Sequence, residues 1–382
     1  MKRSIKDIFI PDVHAYKGKR VLVRLDWNVS VDTTGNPLET ERITRTFPLL
    51  ENLSTSGAIT IVLSHLGDKG GSLSSIVAYV KEKLPFVTFI ESHDFDVIRT
   101  EVEQAKTGDV LVLENIRTFE GEMENSKFLA QRLASLGEIF INDAFSVSHR
   151  KQASVATIPH YILSYAGPLF KEEVTQLNPL LTPELPTLFI IGGAKISTKL
   201  SLIEHYLEKG AYVFVGGAMV HNILKQLGVE IGQSLYDKDY VVPDSILNHP
   251  RLLLPIDVVT SDGQARDIYD VPKDGIIVDC GKLTVALLTK HINSAKTIIM
   301  NGPVGLYEKG WKYGSEMLIA HIGHKIGSVT VLGGGDTLAV LEGIKDQKMS
   351  FSFVSLAGGA MLTYLEQGTL PGIEVLIEDV TP

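Results

Sequence analysis

The sequence is poor in the features that mark secreted, disulfide-stabilised or membrane-spanning chains. It has a single cysteine, Cys280, which cannot form an internal disulfide and is typical of a reducing compartment. No apolar stretch reaches the ~18 residues that a membrane span requires. The basic N-terminal segment has charged or polar residues every few positions instead of the apolar core of a signal peptide. We therefore expect a soluble, cytoplasmic protein.

Two familiar nucleotide-binding signatures are also missing. The P-loop pattern GxxxxGK followed by serine or threonine does not occur. The turn GGGDTL has Leu338 where the dinucleotide pattern GxGxxG has its third glycine, and Asp336 lies inside the turn instead of about 20 residues further on. The net charge of −9 argues against nucleic acid or an acidic membrane surface as a partner. P-loop enzymes and nicotinamide-dependent dehydrogenases are therefore disfavoured.

Short apolar runs that stop at a glycine-rich turn are abundant in the second half. They are LFIIGGAK (188–195), YVFVGGAM (212–219), TIIMNGPVG (297–305), SVTVLGGGDT (328–337) and FSFVSLAGGA (351–360). A continuous aliphatic run is typical of a buried parallel strand, and glycine past its carboxyl end lets backbone approach a ligand at the start of the next helix. Several such turns side by side suit an anionic, polyphosphate ligand.

Strands and helices alternate along the first half as well. The segments that predict strands are RVLVRLDW (20–27), AITIVLSH (58–65), FVTFI (86–90), DVLVLEN (109–115) and GEIFINDAF (137–145). Segments 40–54 and 126–136 carry apolar residues at helical spacing. This alternation predicts an α/β fold with parallel sheets covered on both faces.

Length and proline content predict two domains. The chain has 382 residues, more than the roughly 250–300 at which a single core stops growing. The weakest core signal lies at 161–186, which holds four of the sixteen prolines. We expect the junction there, with a helix at 170–177 bridging the halves.

Charged and polar side chains stand at or just beyond the strand ends of the first half. They are Arg24, Asp26, Asn28, His65, Arg117, Asp143, His149 and Arg150, with Arg42 at the start of a helix. Because the carboxyl ends of parallel strands share one edge of a sheet, these side chains can converge. Any one of the arginines alone would more often be a solvated or ion-paired surface group, but together they predict an anion site.

Six motifs, in order and spacing, resemble the phosphoglycerate kinase family. They are SHLG (64–67), LENIR (113–117), INDAFSVSHR (141–150), GGAKIS (192–197), NGPVGLYE (301–308) and GGGDT (333–337). The likeness extends from VRLDWNV at 23–29 to LPG at 370–372. It implies a glycolytic phosphotransferase that moves a phosphoryl group reversibly and in line between 1,3-bisphosphoglycerate and ADP, giving 3-phosphoglycerate and ATP.

The resemblance also implies an architecture and a set of partners. Two Rossmann-like, three-layer domains with mostly parallel sheets would face a central cleft, and domain closure would assemble the site. Residues 1–168 with the tail 370–382 would bind phosphoglycerate, 169–186 would link the domains, and 187–369 would bind the nucleotide. The expected ligands are these small molecules with Mg²⁺. We expect a monomer that binds neither nucleic acid nor membrane.

Position by position, the resemblance assigns roles to residues of both halves. The phosphoglycerate site would comprise Asp26, Asn28, Arg42, His65, Arg117 and Arg150. The nucleotide site would comprise Gly193, Ala194, Lys195, Lys199, Gly217, Asn301, Pro303, Glu308, Gly334, Gly335, Asp336 and Thr337. Glu308 would accept hydrogen bonds from the ribose, and Asp336 would ligate Mg²⁺. Arg42, Lys195 and Gly335 would be the catalytic residues.

Several positions depart from the family pattern, mostly on the nucleotide side. They are Asp68, Thr198, Ala218, Ile277, Lys282, Met300 and Leu356. They motivate the hypothesis of altered nucleotide affinity. They also leave an alternative, a catalytically weakened nucleotide-binding paralogue of the same fold. Retention of Lys195, Lys199, Asp336 and the arginines favours an active enzyme.

Overall fold

The computed structural model describes residues 3–11, 13–67, 70–344, 346 and 348–378. Asp68, one of the departures from the family pattern, lies outside the described residues. Contacts divide the chain into unit 1, Met1–Thr175 with Thr369–Pro382, and unit 2, Gln176–Gly368. Within the described ranges, we find no helix that is both long and apolar enough to traverse a bilayer.

In the described part of unit 1, the core is a parallel sheet of six strands. They are β1 (Arg20–Arg24), β2 (Ile59–Leu63), β3 (Val87–Ile90), β4 (Val110–Leu113), β5 (Ile139–Asn142) and β6 (Leu163–Ala166). Their order is β3-β4-β2-β1-β5-β6. The helices that follow the strands are α1 (Glu41–Thr44), α2 (Phe47–Thr55), α3 (Ser74–Lys83), α4 (Phe95–Gln104), α5 (Lys127–Ala134) and α6 (Pro168–Leu177).

Both faces of this sheet are buried, which explains why its strands are continuous apolar runs. Val21 and Val23 of β1 pack into the cluster on one face, and Leu22 packs into the cluster on the other. Successive strand residues point to opposite faces, so a sheet covered on both sides needs apolar residues at every position.

Unit 2 repeats the design, with a second parallel sheet of six strands in its described part. Its strands are β7 (Thr187–Ile191), β8 (Tyr212–Val215), β9 (Leu252–Leu253), β13 (Thr297–Asn301), β14 (Val329–Gly333) and β15 (Phe353–Ser355), in the order β15-β14-β13-β7-β8-β9. A small antiparallel sheet holds β10 (Asp257–Thr260), β11 (Ala265–Asp267) and β12 (Ile277–Cys280). The helices are α7 (Leu200–Glu208), α8 (Met219–Gln226), α9 (Asp244–Leu247), α10 (Lys282–Ser294), α11 (Tyr313–Gly323), α12 (Gly335–Glu342) and α13 (Gly359–Gln367).

The last helix, α14 (Pro371–Ile377), belongs to unit 1. The Gly372 amide donates to the Ser148 carbonyl oxygen at 2.9 Å. A Cβ at position 372 would lie 2.7 Å from the Ser148 Cβ, so glycine permits this close approach. Short 3₁₀ helices occur at Val13–Tyr16, Ile116–Thr118, Phe145–Val147, Ile158–His160, Asn178–Leu181, Ile196–Thr198 and Tyr307–Lys309, and a π-helical turn occurs at Ala153–Thr157.

The predicted fold class is confirmed, with three local differences. The helical segment expected at 40–54 is two helices, because a continuous helix would put Pro48, which has no N–H, in its interior. The region 161–186, where we expected a junction of weak core signal, contains β6 at the edge of the sheet. The antiparallel sheet of unit 2 was not predicted. The boundary between the units falls inside α6.

Candidate active site

Strand register brings the charged residues of unit 1 to one edge of its sheet. Arg24, the last residue of β1, is the register partner of Leu63 in β2 and of Asn142 in β5. The chain order reverses across β1 and β5, and ligands of open α/β sheets bind outside the strand ends at such a reversal. Side chains just beyond these three strands therefore share this edge.

Asp26 is the centre of the cluster. Its carboxylate accepts a hydrogen bond from Arg42 Nη1 at 2.5 Å, another from the Ser146 hydroxyl, and one from the Asn28 amide at 3.1 Å. Burial alone would raise the pKa of Asp26, but the charge of Arg42 and the hydrogen bonds from Ser146 and Asn28 hold it well below its usual range. The carboxylate is therefore ionised and fixes the position of Arg42.

His65 is neutral and buried beside this carboxylate. Its Nδ1 lies 3.6 Å from Asp26 Oδ1 and 3.3 Å from Arg24 Nη2. Burial lowers the pKa of His65 to about 3; the positive charges of Arg24, Arg117 and Arg150 act in the same direction, and Asp26 opposes them. Because a guanidinium only donates, Nδ1 accepts from Arg24 and the proton is on Nε2. His65 can therefore donate a hydrogen bond without carrying charge.

Arg24 is held from behind by a buried chain of hydrogen bonds. Its Nε donates to the Ser154 hydroxyl at 3.0 Å, and that hydroxyl donates to Glu122 Oε1 at 2.6 Å. The Ser154 amide donates to Glu122 Oε2 at 2.9 Å. All three side chains are fully buried. Glu122 therefore supports the orientation of Arg24 through Ser154.

The loop after β2 connects the remaining members of the cluster. Asn28 Oδ1 accepts from the Gly67 amide at 2.8 Å, and Arg117 Nη1 donates to the Gly67 carbonyl at 2.5 Å. Arg150 Nε donates to His149 Nε2 at 3.4 Å. Every residue predicted for the phosphoglycerate site thus takes part in one connected group of contacts or acts electrostatically on His65. Their role in binding stays a prediction.

Asp143, another strand-end residue, has a different task. Its Oδ1 accepts from the Phe170 amide at 3.0 Å, in the first turn of α6. Burial raises the pKa of Asp143 to about 7, although the amides of the first turn of α6 act against it. Asp143 therefore anchors the start of α6 to the end of β5.

In unit 2, the glycine turns surround a cavity of about 420 Å³. Of the predicted nucleotide residues, those that line it are Gly193, Ala194, Gly217, Pro303, Glu308 and Asp336. Gly217 has φ +63°, and a Cβ there would lie 2.8 Å from both the Gly193 amide nitrogen and its carbonyl oxygen. Glycine is therefore required where these two turns meet.

Lys199 and Asn301 lie behind the turns. Lys199 Nζ donates to the Gly192 carbonyl at 2.7 Å and lies 3.4 Å from Asn301 Oδ1. Asn301 Nδ2 is buried without a hydrogen-bond partner among the described residues. Lys195, by contrast, is exposed.

The start of α12 has the geometry of an anion site. Gly334, with φ +95°, precedes the helix, and Gly335 begins it with open space where a Cβ would lie. Asp336 is exposed and its Oδ1 accepts from the Tyr307 hydroxyl at 2.8 Å. Thr337 is buried, and its hydroxyl accepts from the Gly302 amide at 2.8 Å, so it joins the turn after β13 to α12.

Five further polar side chains line the cavity that the sequence did not predict as site residues. They are His221, Gln233, Asp279, Tyr307 and Lys309. His221 lies in the first turn of α8, directly after the glycine turn that follows β8. This position in the sequence could have predicted that it lines the cavity. Ala218 and Ile277, two of the departures from the family pattern, also line the cavity.

Comparison with known proteins decides the family. The sequence model of phosphoglycerate kinase matches residues 10–368. The chain belongs to the phosphoglycerate kinase family. The phosphoglycerate kinase of Thermus thermophilus is 37% identical over 383 residues, covering 94% of this chain and 97% of that protein. That of Chloroflexus aurantiacus is 34% identical over 403 residues, covering 98% of each.

Solved structures of phosphoglycerate kinases have the same fold. The enzyme from Coxiella burnetii has 33% sequence identity and a TM-score of 0.79, covering 94% of this chain and 96% of that one. The enzyme from Pyrococcus horikoshii is 23% identical with a TM-score of 0.83, covering 98% of each chain, a likeness of fold alone. The two parallel sheets are therefore those of phosphoglycerate kinases.

Proposed function

We propose that this chain is an active phosphoglycerate kinase that transfers a phosphoryl group reversibly between 1,3-bisphosphoglycerate and ADP. The observation that carries the proposal is the cluster at the sheet edge of unit 1. Asp26 positions Arg42, and Arg24, Arg117 and Arg150 all act electrostatically on His65. Four arginines against two carboxylates, Asp26 and Glu122, leave the cluster able to attract an anion, and arginine forks suit phosphate and carboxylate.

The nucleotide would occupy the cavity of unit 2. We propose that its phosphates lie against the start of α12 and near Lys195, Lys199 and Asn301, and that Glu308 accepts hydrogen bonds from the ribose hydroxyls. The helix start offers N–H groups and a positive dipole end to the phosphates.

The residues present fit a magnesium ion that binds together with the nucleotide. Among the described residues, no three His, Cys, Asp or Glu side chains are placed to hold a metal on their own. Asp336 presents one exposed carboxylate. Mg²⁺ is commonly bound through one or two carboxylates together with substrate phosphates and water. When bound, the ion would neutralise part of the phosphate charge.

During transfer, the bond between phosphorus and the carboxyl oxygen of 1,3-bisphosphoglycerate breaks as a bond forms to the terminal oxygen of ADP. No proton has to move, so the protein contributes mainly position and charge. Arg42, Lys195 and the N–H groups at Gly335 would stabilise the charge of the phosphoryl group. We also propose domain closure, because the two ligands bind to different units and water would hydrolyse an acyl phosphate.

The direct test is MgATP-dependent phosphorylation of 3-phosphoglycerate by purified protein, coupled to a dehydrogenase that consumes the acyl phosphate. We expect turnover that requires both substrates. Nucleotide binding without any turnover would contradict the proposal and favour the weakened paralogue. We further propose that the protein is a cytoplasmic monomer. Sedimentation of the active protein measures its mass and so checks that it is a monomer.

Nucleotide affinity should fall at alkaline pH because of Lys199. Burial lowers the pKa of Lys199 to about 8, and Asp336 acts in the opposite direction. The ammonium is present below that pH and is lost above it, so its attraction for phosphate is lost as pH rises. The Kd for MgADP should rise by up to about tenfold per pH unit above pH 8.

Calorimetric titration with MgADP between pH 7 and 9.5 measures this dependence. Lys199→Arg is the matched variant, since a guanidinium keeps its charge throughout this range. The Kd of Lys199→Arg for MgADP should not change over this pH range. A parent curve as flat as that of the variant would show that Lys199 does not contact the phosphates.

A further inference from the structure

The nucleotide cavity has one end that carries no phosphate-binding feature. Asp336 follows β14, whereas His221 lies in α8, which follows β8. In the sheet these strands are separated by β13 and β7, so three strand spacings of about 4.8 Å place the two loops about 14 Å apart. A nucleotide whose phosphates lie at the start of α12 would therefore extend its base toward His221.

The wall at this end is mostly apolar. Ala218, Leu235, Ile277 and Val278 all line it. Such a wall holds a planar base by contact but does not distinguish its polar edges. Discrimination between bases therefore depends on the few polar atoms that face the cavity.

His221 presents a hydrogen-bond acceptor at this end. Its Nδ1 lies 2.7 Å from the Leu235 carbonyl oxygen, which can only accept, so Nδ1 carries the proton. Burial lowers the pKa of His221, although the Leu235 carbonyl opposes this, and the imidazole is neutral. Nε2 then has a lone pair and no hydrogen. The side chain is 4% exposed and lines the cavity, and among the described residues its hydrogen bond is the one at Nδ1.

The other polar side chains near this end are less selective. The oxygens of Asp279 already accept hydrogen bonds from the Cys280 amide at 2.9 Å and the Gly314 amide at 3.0 Å. Gln233 is exposed, and its amide can turn to offer either a donor or an acceptor. Lys309 offers only donors and lies in the same 3₁₀ helix as Tyr307, whose hydroxyl donates to Asp336 at the phosphate end. Among these side chains, His221 Nε2 is the polar atom of fixed character that remains for the base.

We propose that His221 makes this site selective for 6-aminopurine nucleotides over 6-oxopurine nucleotides. The amino group of adenine donates a hydrogen bond to Nε2. The oxo group of hypoxanthine or guanine would place an acceptor against an acceptor and leave both unsatisfied in a desolvated pocket. The proposal rests on the nucleotide site proposed above and adds its base specificity.

The test compares MgADP with MgIDP, in which an oxo group replaces the amino group and the sugar and phosphates are unchanged. We expect the parent protein to bind MgADP more tightly by about tenfold or more, as judged from Kd values measured by calorimetry. In His221→Phe, which keeps a planar ring but has no acceptor, the ratio of the two Kd values should fall to about twofold or less. His205→Phe, on α7, is the matched control and should keep the parental ratio.

The outcomes separate this inference from the proposed function. Failure of the parent protein to bind either nucleotide would contradict the nucleotide site itself. Equal binding of the two by the parent, or an unchanged preference in His221→Phe, would overturn only the role of His221. Should His221→Phe not fold, His221→Gln supplies the test: its amide can keep the Leu235 contact and offer an oxygen to the base, so a preference for MgADP should persist.

Discussion

Replacement of Lys195 by alanine is expected to lower the turnover number by about 10³-fold or more, the scale on which single cationic groups act in phosphoryl transfer. Lys195 lies in the glycine turn after β7, directly after Gly193 and Ala194, which line the nucleotide cavity, and its side chain is exposed. Lys199 is held behind the turn by the Gly192 carbonyl, so of the two lysines Lys195 can follow the phosphoryl group. Its charge should stabilise the transition state more than the bound ground state.

The coupled assay gives kcat and KM separately, and calorimetry gives the Kd for MgADP. We expect a large fall in kcat with a change in Kd of less than about tenfold, since a group that acts mainly in the transition state contributes little to ground-state binding. Lys290→Ala removes an exposed lysine from α10 and is the matched control. A Lys195→Ala enzyme with near-parental kcat would exclude Lys195 from catalysis.

The elements that sequence predicted well are those whose residues are buried on both sides. β1 and β7 are continuous apolar runs because helices cover both faces of their sheets. β6 was missed because this edge strand, LSYA, mixes exposed and buried residues. β11 is short and largely exposed, so it carries no apolar run. Pro48 could have predicted the division between α1 and α2, since it stands inside the helical segment.

For the site, charged residues at strand ends could be found because the sheet edge determines where they meet. Their hydrogen-bond partners could not be predicted. Ser146 and Ser154 are small hydroxyl residues, and nothing in the sequence pairs them with Asp26 and Glu122, from which they are separated by 120 and 32 residues. Such contacts depend on how distant segments pack. His221 escaped notice for a similar reason, because its Leu235 partner lies on a loop beyond α8.

Glu122→Ala is expected to be the most destabilising of the substitutions considered for unit 1. Glu122 accepts both hydrogen bonds of Ser154, which in turn accepts from Arg24. Burial raises the pKa of Glu122, and the positive charge of Arg24 opposes that rise. Without the carboxylate, Arg24 stays buried next to Asp26, which is already paired with Arg42. Breaking a buried ion pair costs about 3–5 kcal/mol in the free energy of unfolding. Because Ser154 bridges Arg24 and Glu122, we expect a loss that approaches this range and does not exceed it.

The chain offers both a control and a probe for this measurement. Glu124→Ala removes an exposed carboxylate two residues away and should change the free energy of unfolding by about 0.5 kcal/mol or less. Trp27 is buried in unit 1, where its Nε1 donates to the Thr46 hydroxyl at 3.0 Å, and Trp311 lies in unit 2. Urea unfolding followed by fluorescence in a Trp311→Phe background therefore reports unit 1.

Glu122→Gln separates charge from hydrogen bonding. It keeps an oxygen for the Ser154 hydroxyl but removes the negative charge, so its loss of stability should lie between those of Glu124→Ala and Glu122→Ala. In the reciprocal Trp27→Phe background, the fluorescence of Trp311 reports the unfolding of unit 2. Its urea midpoint should be the same with Glu122→Ala, Glu122→Gln or Glu124→Ala as without them. Equal stability of Glu122→Ala and Glu124→Ala would mean that Arg24 does not depend on Glu122, and that the cluster around His65 is held by Asp26 and Arg42 alone.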